Sequence, residues 1–124
     1  MEILSPQTLV EKKCLPCEGG IEPCSLLAAQ KQLALLAGWV LTADGKRIRK
    51  DWMLKNFLAG LNFFNEVARV AEEEQHHPDL HLEGYRHVWI EIWTHAINGL
   101  SVNDFILATK IDTLPIQGKV LAGP

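Results

Sequence analysis

"EEEQHHPDLHLEGYRHVWIEIWTH", residues 72–95, decides the fold, because a helical pattern gives way to an alternating one within it. Three glutamates end the helical pattern, and apolar and polar residues alternate after a His-His-Pro sequence. Alternation with a period of two is typical of strands, and Gly84 permits a turn between two of them. The stretch therefore predicts a helix that leads into two antiparallel strands, over 79–85 and 86–95.

The second of these strands alternates most sharply, and its two faces differ in chemistry. One face is apolar and carries Val88, Ile90 and Ile92. The other face carries His87, Trp89, Glu91, Trp93 and His95. Since successive side chains point to opposite sides of a sheet, the apolar face should pack against helices and the other should stay open. Two tryptophans on an open face form an apolar patch, so we expect a surface for a second subunit or a foreign partner there.

The residues before the long helical pattern predict a shorter helix followed by a hairpin. Residues 25–36, SLLAAQKQLALL, are rich in helix formers, and Gly38 follows as the C-cap. Residues 39–52, WVLTADGKRIRKDW, contain Asp44-Gly45, a signal for a two-residue turn between strands.

Two further helices are predicted from apolar residues at spacings of three and four. The longer covers residues 54–74 and the shorter covers about 102–112. The shorter one has Ser101 as N-cap and Asp104 at its third position, the arrangement of a capping box. The apolar stripe predicted for the longer helix comprises Leu54, Phe57, Leu61, Phe64, Ala68 and Ala71.

These elements follow one another in the order α-β-β-α-β-β-α, which predicts an α+β fold. Two antiparallel hairpins would form a four-stranded antiparallel sheet with the helices on one face. We expect an N-terminal arm over residues 1–24, a domain over 25–115 and a C-terminal tail over 116–124. The arm is expected to be irregular because two prolines and a Gly-Gly pair interrupt it.

Composition excludes several classes of protein. The chain has 124 residues, of which 48% are hydrophobic and 22% charged, as expected for one globular domain. Its net charge of −3 gives no reason to expect nucleic acid or an anionic membrane as partner. No apolar run has the length of a membrane-spanning helix, and the N-terminus lacks the pattern of a secretory signal. We therefore expect a cytoplasmic location.

The three cysteines, Cys14, Cys17 and Cys24, are too few and odd in number for a disulfide scaffold. Cys14 and Cys17 have CxxC spacing, but a structural zinc site needs four ligands, and Cys24 supplies only one more nearby. We interpret all three as reduced thiols in the arm rather than as a metal or redox site.

All five histidines lie within the opening stretch, which makes it the candidate for chemistry. A metal site built from His76, His77, His81 and His95 is one interpretation. Against it, the helical HExxH pattern is absent, and adjacent histidines seldom bind the same ion. We therefore expect no metal.

Acid–base catalysis is the second interpretation, because histidine exchanges protons near neutral pH. A carboxylate such as Glu72 would orient an imidazole or stabilise its cation. The third interpretation is structural: His81 and His87 are solvated strand residues, His95 ends a strand, and Asp104 caps a helix. Motifs for nucleophilic catalysis and phosphate-binding loops are absent, so any chemistry here would be proton transfer.

Residues 72–85 and 94–112 together resemble the pterin-4a-carbinolamine dehydratase family. The family pattern is a carboxylate, three residues, His-His-Pro, an aromatic residue, then Thr-His and a downstream Asp. The matching residues are Glu72, His76, His77, Pro78, Tyr85, Thr94, His95 and Asp104. The resemblance covers residues 25–112, and the CLPCEGG of the arm is similar to the arm of bacterial and plant-type relatives.

The resemblance implies an α+β subunit that dimerises by joining sheets and in some members forms tetramers. It also implies a hydro-lyase, 4a-hydroxytetrahydrobiopterin dehydratase, which converts a 4a-hydroxytetrahydropterin to the quinonoid dihydropterin and so recycles a cofactor of aromatic hydroxylation. His76, His77 and His95 would supply the acid, the base and a pterin contact, in an order that the residues leave open. The substrate-binding residues implied by the match are Glu72, Pro78 and Asp104. The pterin is the substrate, and no cofactor is implied.

A second branch of the family is also similar to this chain and implies another class of function. Some dehydratase-like proteins are RuBisCO assembly factors, in plastids and in carboxysome gene clusters, and the resemblance to this branch implies a catalytically inactive assembly chaperone. The implied partner is the RuBisCO large subunit, and the chain would be carboxysome-associated. An enzyme should lose turnover when His77 is replaced, whereas an assembly chaperone should lose partner binding when Trp89 or Trp93 is replaced.

Overall fold

A computed structural model describes residues 1–16 and 20–123. Its helices are α1 (Pro6–Glu11), α2 (Leu26–Leu33), α3 (Phe57–Glu74) and α4 (Val102–Asp112), with a 3-10 turn at His95–Ile97. Its strands are β1 (Val40–Leu41), β2 (Ile48–Leu54), β3 (Asp79–Glu83), β4 (His87–Ile92) and β5 (Gly118–Leu121). The predicted α+β class is confirmed. Within the described ranges, no helix is both long and apolar enough to cross a membrane.

The strands found in the described ranges form one antiparallel sheet, in which β1, β2, β4 and β3 are neighbours in that order. A fifth strand, β5, pairs with residues 51–54 of β2, next to the short pairing of β1 with residues 48–49. The prediction of four strands is therefore wrong by one. The additional strand lies in the predicted C-terminal tail, where four mostly exposed residues are too few to show an alternation.

One face of the sheet packs against the helices and forms the core. The strand residues completely buried on this face include Ile48, Val88, Ile90 and Ile92. Burying each such side chain contributes about 1.5–3 kcal/mol. α3 lies close over β3 and β4, since a Cβ on Gly60 would come within 2.9 Å of the Leu82 side chain. This close approach fixes the N-terminal part of α3 relative to the sheet.

The buried face of α3 differs from the predicted stripe. Phe57 and Leu61 are 50% and 40% exposed, and Leu54 belongs to β2 rather than to the helix. The residues of α3 that are buried are Ala59, Gly60, Phe63, Val67, Val70, Ala71 and Glu74. Apolar residues lie on two sides of this helix, so their spacing alone did not identify the side that faces the sheet.

The N-terminal arm contains a helix, whereas the sequence predicts an irregular chain. Pro6 occupies the first position of α1, and the Ser5 side chain accepts a hydrogen bond from the backbone N–H of Thr8. Both features favour the start of a helix. Leu9 of this helix is completely buried in the core. The two prolines and the Gly-Gly pair that predict irregularity all follow α1, whereas Pro6 lies at the start of the helix, a position that suits proline.

Two predicted turns also differ in the structure. Gly38, with φ of +88°, lies beyond the end of α2 rather than at its C-cap. The β1–β2 connection is closed by Thr42 and Arg47, whose backbones are hydrogen-bonded, so it is longer than a two-residue Asp44-Gly45 turn. The Asp44 carboxylate explains the difference, because it accepts hydrogen bonds inside the loop from the Thr42 hydroxyl and a backbone N–H.

We expect Gly118→Ala to detach β5. Gly118 has φ of +155°, and an added Cβ would collide with the Met53 carbonyl oxygen and lie 2.7 Å from Leu54 Cα. The free energy of unfolding should fall by about 2 kcal/mol in urea titrations. Gly84→Ala is the control, because that φ is +56° and nothing lies within 4 Å of the added Cβ. The control should lose only about 1 kcal/mol, and equal losses in the two variants would contradict the placement of β5.

Candidate active site

A small cleft of about 180 Å³ lies where the C-terminus of α3 meets the chain that follows β4. Its lining residues are Gln75, His76, His77, Trp93, His95 and Ala96. Three of the five histidines therefore share one cleft, although His95 comes from the far end of the β3–β4 hairpin. The acid–base interpretation requires this convergence.

The two adjacent histidines diverge because of the backbone on either side of them. Gln75 ends α3 in the left-handed conformation, with φ of +52° and ψ of +39°. His77 precedes Pro78, which restricts its backbone toward extended geometry. As a result His76 is buried, with 4% exposure, whereas the side chain of His77 is 59% exposed. Two neighbouring imidazoles thus line one cleft from different depths.

His76 is held by a buried carboxylate from α4. Its Nε2 lies 2.6 Å from Oδ1 of Asp104. The other oxygen of Asp104 accepts hydrogen bonds from the Thr94 hydroxyl at 2.9 Å and from the Ser101 backbone N–H at 2.8 Å. The carboxylate is completely buried and accepts from three donors, so its charge is well compensated. The predicted capping box is present, and the same side chain also orients His76.

His77 and His95 are each held by one neighbour at the surface. Nε2 of His77 lies 2.7 Å from Oε2 of Glu72. Both side chains of this pair are exposed, so it contributes little stability, but it orients the imidazole. The ring of His95 lies against Trp93, with 4.1 Å between ring centroids and 31° between planes.

The remaining predicted site residues lie in different places. Glu72 and Asp104 contact the histidines from behind and do not line the cleft. Pro78 is half-buried and outside the lining. Of the two tryptophans predicted as a partner surface, Trp93 lines the cleft and Trp89 does not.

Two residues that line the cleft, Gln75 and Ala96, were not among the predicted site residues. Thr94 and Ser101, which the sequence indicated only as a family match and as an N-cap, complete the hydrogen bonds of Asp104. A signal exists for Gln75, because a helix commonly ends at a left-handed residue. No local signal distinguishes Ala96, whose place in the cleft depends on the 3-10 turn after β4.

The open face of the sheet is charged rather than apolar, which corrects the expectation of an apolar patch. The Arg49 guanidinium lies 4.7 Å from the ring centre of Trp89, and that of Arg47 lies 4.6 Å from the ring centre of Trp93. The His81 ring stacks on Trp89 with 4.7 Å between centroids and 4° between planes. These cationic and polar groups cover much of the tryptophan surface.

Asp51 places a buried carboxylate at the centre of this face. It accepts two hydrogen bonds from the Arg49 guanidinium and one from Nε2 of His87. Burial alone raises the pKa of Asp51, but the hydrogen bonds from Arg49 and His87 outweigh it, so the pKa lies below its ordinary value. His87, interpreted from sequence as solvated, is therefore part of a half-buried polar cluster.

The surroundings of Cys14 and Cys24 in the arm raise the pKa values of their thiols. Burial, together with the neighbouring Glu74 carboxylate, raises the pKa of Cys14 to about 12, and burial raises the pKa of Cys24. A raised pKa disfavours the thiolate that metal binding and redox chemistry need. Cys17 lies outside the described residues. In the part of the chain that the structure describes, no group of three or more His, Cys, Asp or Glu side chains is arranged to hold a metal ion.

Comparison with known proteins gives consistent matches. The family described as Pterin 4 alpha carbinolamine dehydratase matches residues 22–114. The mitochondrial pterin-4-alpha-carbinolamine dehydratase 2 of Arabidopsis thaliana is 48% identical over 112 residues, which are 88% of this chain and 60% of that protein. A relative from Halorhodospira halophila is 43% identical over 107 residues, which are 86% of this chain and 97% of that protein.

A solved structure shows the same fold. The transcriptional coactivator/pterin dehydratase from Brucella melitensis is similar to this chain with a TM-score of 0.68 and 25% sequence identity, over 74% of this chain and 97% of that one. The range matched by the family contains α2 to α4 and every residue that lines the cleft, and it excludes α1 and β5. The chain therefore belongs to the pterin 4 alpha carbinolamine dehydratase family.

Proposed function

We propose that this chain dehydrates a 4a-hydroxytetrahydropterin to the quinonoid dihydropterin. The observation that carries the proposal is the convergence of His76, His77 and His95 on one cleft, each with a neighbour that limits its rotation. Membership of a family whose name indicates a dehydratase supports the same reaction.

The reaction needs two proton transfers. The C4a–O bond breaks as the hydroxyl takes up a proton and leaves as water, while N5 of the pterin loses a proton. One proton is given and one is taken, so substrate and products differ only by the water released. Imidazoles suit both transfers, because they exchange protons near neutral pH, and each positioned group typically contributes about 10²–10⁴-fold.

Exposure divides the roles among the three histidines. His77 and His95 are exposed at the cleft and are proposed to exchange the two protons with the substrate. His76 is buried and bound to Asp104, and is proposed to contact the pterin from a fixed position. Glu72 accepts a hydrogen bond from Nε2 of His77 and so fixes the tautomer of that ring.

The size of the cleft bears on the substrate. Its volume of about 180 Å³ is below the range of roughly 300–1,000 Å³ found for pockets that hold drug-sized ligands. We therefore propose that the cleft receives the bicyclic ring and that the substituent on C6 stays in solvent. On this basis the site recognises the pterin ring rather than one particular pterin.

The test is a dehydration assay on the purified chain. A 4a-hydroxytetrahydropterin is generated in situ by an aromatic amino-acid hydroxylase, and the quinonoid dihydropterin is followed by absorbance. We expect saturable acceleration over the spontaneous reaction at catalytic protein concentration. Absence of acceleration at protein concentrations equal to the substrate would refute the proposal.

Several expectations from sequence stay predictions beside this proposal. They are the homodimer or tetramer, the RuBisCO large subunit as partner, and a cytoplasmic or carboxysome-associated location. The relative from Arabidopsis thaliana is named mitochondrial, which describes that protein. The assembly-chaperone alternative predicts that substitution of Trp89 or Trp93 impairs partner binding more than substitution of a histidine does.

A further inference from the structure

Two residues of the N-terminal arm, Cys14 and Leu15, are held beside the cleft by side chains of α3 and α4. We propose that they act as a positioning element, which holds His76 and Asp104 at their working separation. The catalytic part of this inference rests on the proposed dehydratase function, whereas the structural part does not.

The first fastening is made by Asn103. Its side-chain amide is completely buried and forms two hydrogen bonds with the backbone of Leu15. Nδ2 donates to the Leu15 carbonyl oxygen at 2.8 Å, and Oδ1 accepts from the Leu15 N–H at 2.8 Å. Asn103 immediately precedes Asp104, so the arm is tied to the turn of α4 that orients His76.

The second fastening is made by Glu74, the last residue of α3. Its Oε1 accepts a hydrogen bond from the Cys14 N–H at 2.8 Å, and its Oε2 lies 3.4 Å from the Lys110 ammonium and 3.9 Å from that of Lys13. Burial raises the pKa of Glu74, but the Cys14 N–H and the two lysines outweigh it and keep the carboxylate ionised. Glu74 lies two residues before His76.

These two fastenings join the elements that meet at the site. Consecutive arm residues bind the last turn of α3 and the first turn of α4, and the 2.6 Å contact between His76 and Asp104 spans the same two elements. Release of the arm would let the helix ends move relative to each other. A displacement of about 1 Å at a catalytic group can cost roughly 10²-fold in rate.

The chain contains a matched control for this inference. Gln32 of α2 is also completely buried, and its amide binds the backbone of Leu4 in the same two-bond manner, at 2.8 and 2.9 Å. The amides of Asn103 and Gln32 thus make the same pair of hydrogen bonds to the backbone of the same arm. However, α2 contributes no residue to the cleft.

The experiment compares Asn103→Ala with Gln32→Ala in the full chain. Both variants should lower the urea midpoint of unfolding by similar amounts, because each removes one buried amide and its two hydrogen bonds to the arm. Only Asn103→Ala should lower kcat, by about tenfold or more with a smaller change in KM, while Gln32→Ala should stay within about twofold. In ¹⁵N–¹H spectra of the imidazoles, Asn103→Ala should shift the Nε2 signal of His76 and Gln32→Ala should not.

Two outcomes would overturn the inference. One is an equal loss of kcat in Asn103→Ala and Gln32→Ala, which would show that the arm stabilises the fold but does not position the site. The other is an unchanged His76 signal in Asn103→Ala. If the wild-type chain shows no turnover at all, the proposed dehydratase function fails, and the His76 signal still decides whether the arm positions the site.

Variants of Glu74 test the same inference from the side of α3. They also provide the test if Asn103→Ala does not fold. Glu74→Gln keeps an oxygen that accepts from the Cys14 N–H, so the Nε2 signal of His76 should not shift and most of the turnover should remain. Glu74→Ala should shift that signal and lower the turnover. Identical behaviour of these two variants would contradict the inference. Both sets of hydrogen bonds act through the same arm, so their effects should not add. The double variant Asn103→Ala/Glu74→Ala should therefore have little less turnover than the less active of the two single variants.

Discussion

Turnover should fall by at least about 10²-fold when His77 is replaced by alanine, because a positioned acid–base group contributes roughly 10²–10⁴-fold. The fold should remain intact, since the His77 side chain is 59% exposed and its removal uncovers little buried surface. The loss is expected in kcat more than in KM, because the ring acts on protons in the transition state and binds the substrate weakly before it.

The measurement is steady-state dehydration by the wild type, His77→Ala and His81→Ala. His81 is the control because it lies in the same stretch of sequence but stacks on Trp89 outside the cleft. His81→Ala should keep kcat within about twofold, and the midpoints of thermal unfolding should stay close in all three proteins. Full turnover in His77→Ala would remove His77 from the mechanism and leave His95 as the proton-transferring residue.

The second large effect is expected at Asp104, where stability and activity should fall together. Asp104→Ala leaves three buried donors without their carboxylate, from His76, Thr94 and Ser101. Removing one partner of such a buried network costs about 3–5 kcal/mol. Since the total stability of a domain is about 5–15 kcal/mol, this loss is a large share of it.

Urea unfolding of Asp104→Ala and Asp104→Asn measures this effect. The asparagine keeps the volume and one acceptor but turns an NH₂ group toward donors, so its loss should be intermediate. Asp104→Asn should also lose turnover, because His76 no longer meets a charged carboxylate. A free energy of unfolding within about 1 kcal/mol of the wild type in Asp104→Ala would show that the network contributes little to the fold.

The sequence predicts α4 and the β3–β4 hairpin well for local reasons. Ser101 and Asp104 mark the beginning of α4, Pro115 follows its end, and the observed helix covers the predicted residues. The hairpin is marked by strict alternation on both sides of Gly84. In these segments each residue's conformation is decided by its near neighbours, which the sequence displays directly.

Other features depend on contacts between distant residues, and the sequence does not display them. The buried side of α3 is selected by the sheet, because Phe57 and Phe63 are equally apolar but only Phe63 faces it. β5 is a strand because β2 offers an unpaired edge there. The capping role of Asp104 is predicted from three neighbouring positions, whereas its bond to His76 exists only once α3 and α4 pack together.

The left-handed residue at the end of α3 limits how this site can change by mutation. The surroundings of each imidazole are set by its distance along the chain from Gln75, with the first ring turned inward and the second outward. Insertion of one residue between Gln75 and His76 would move His76 out of the inward position, and deletion of one residue before Pro78 would remove one of the two imidazoles. Substitutions at this junction alter one contact at a time, but a change of length alters every role at once. We therefore expect the site to tolerate replacement of a side chain at this junction better than a change in its length.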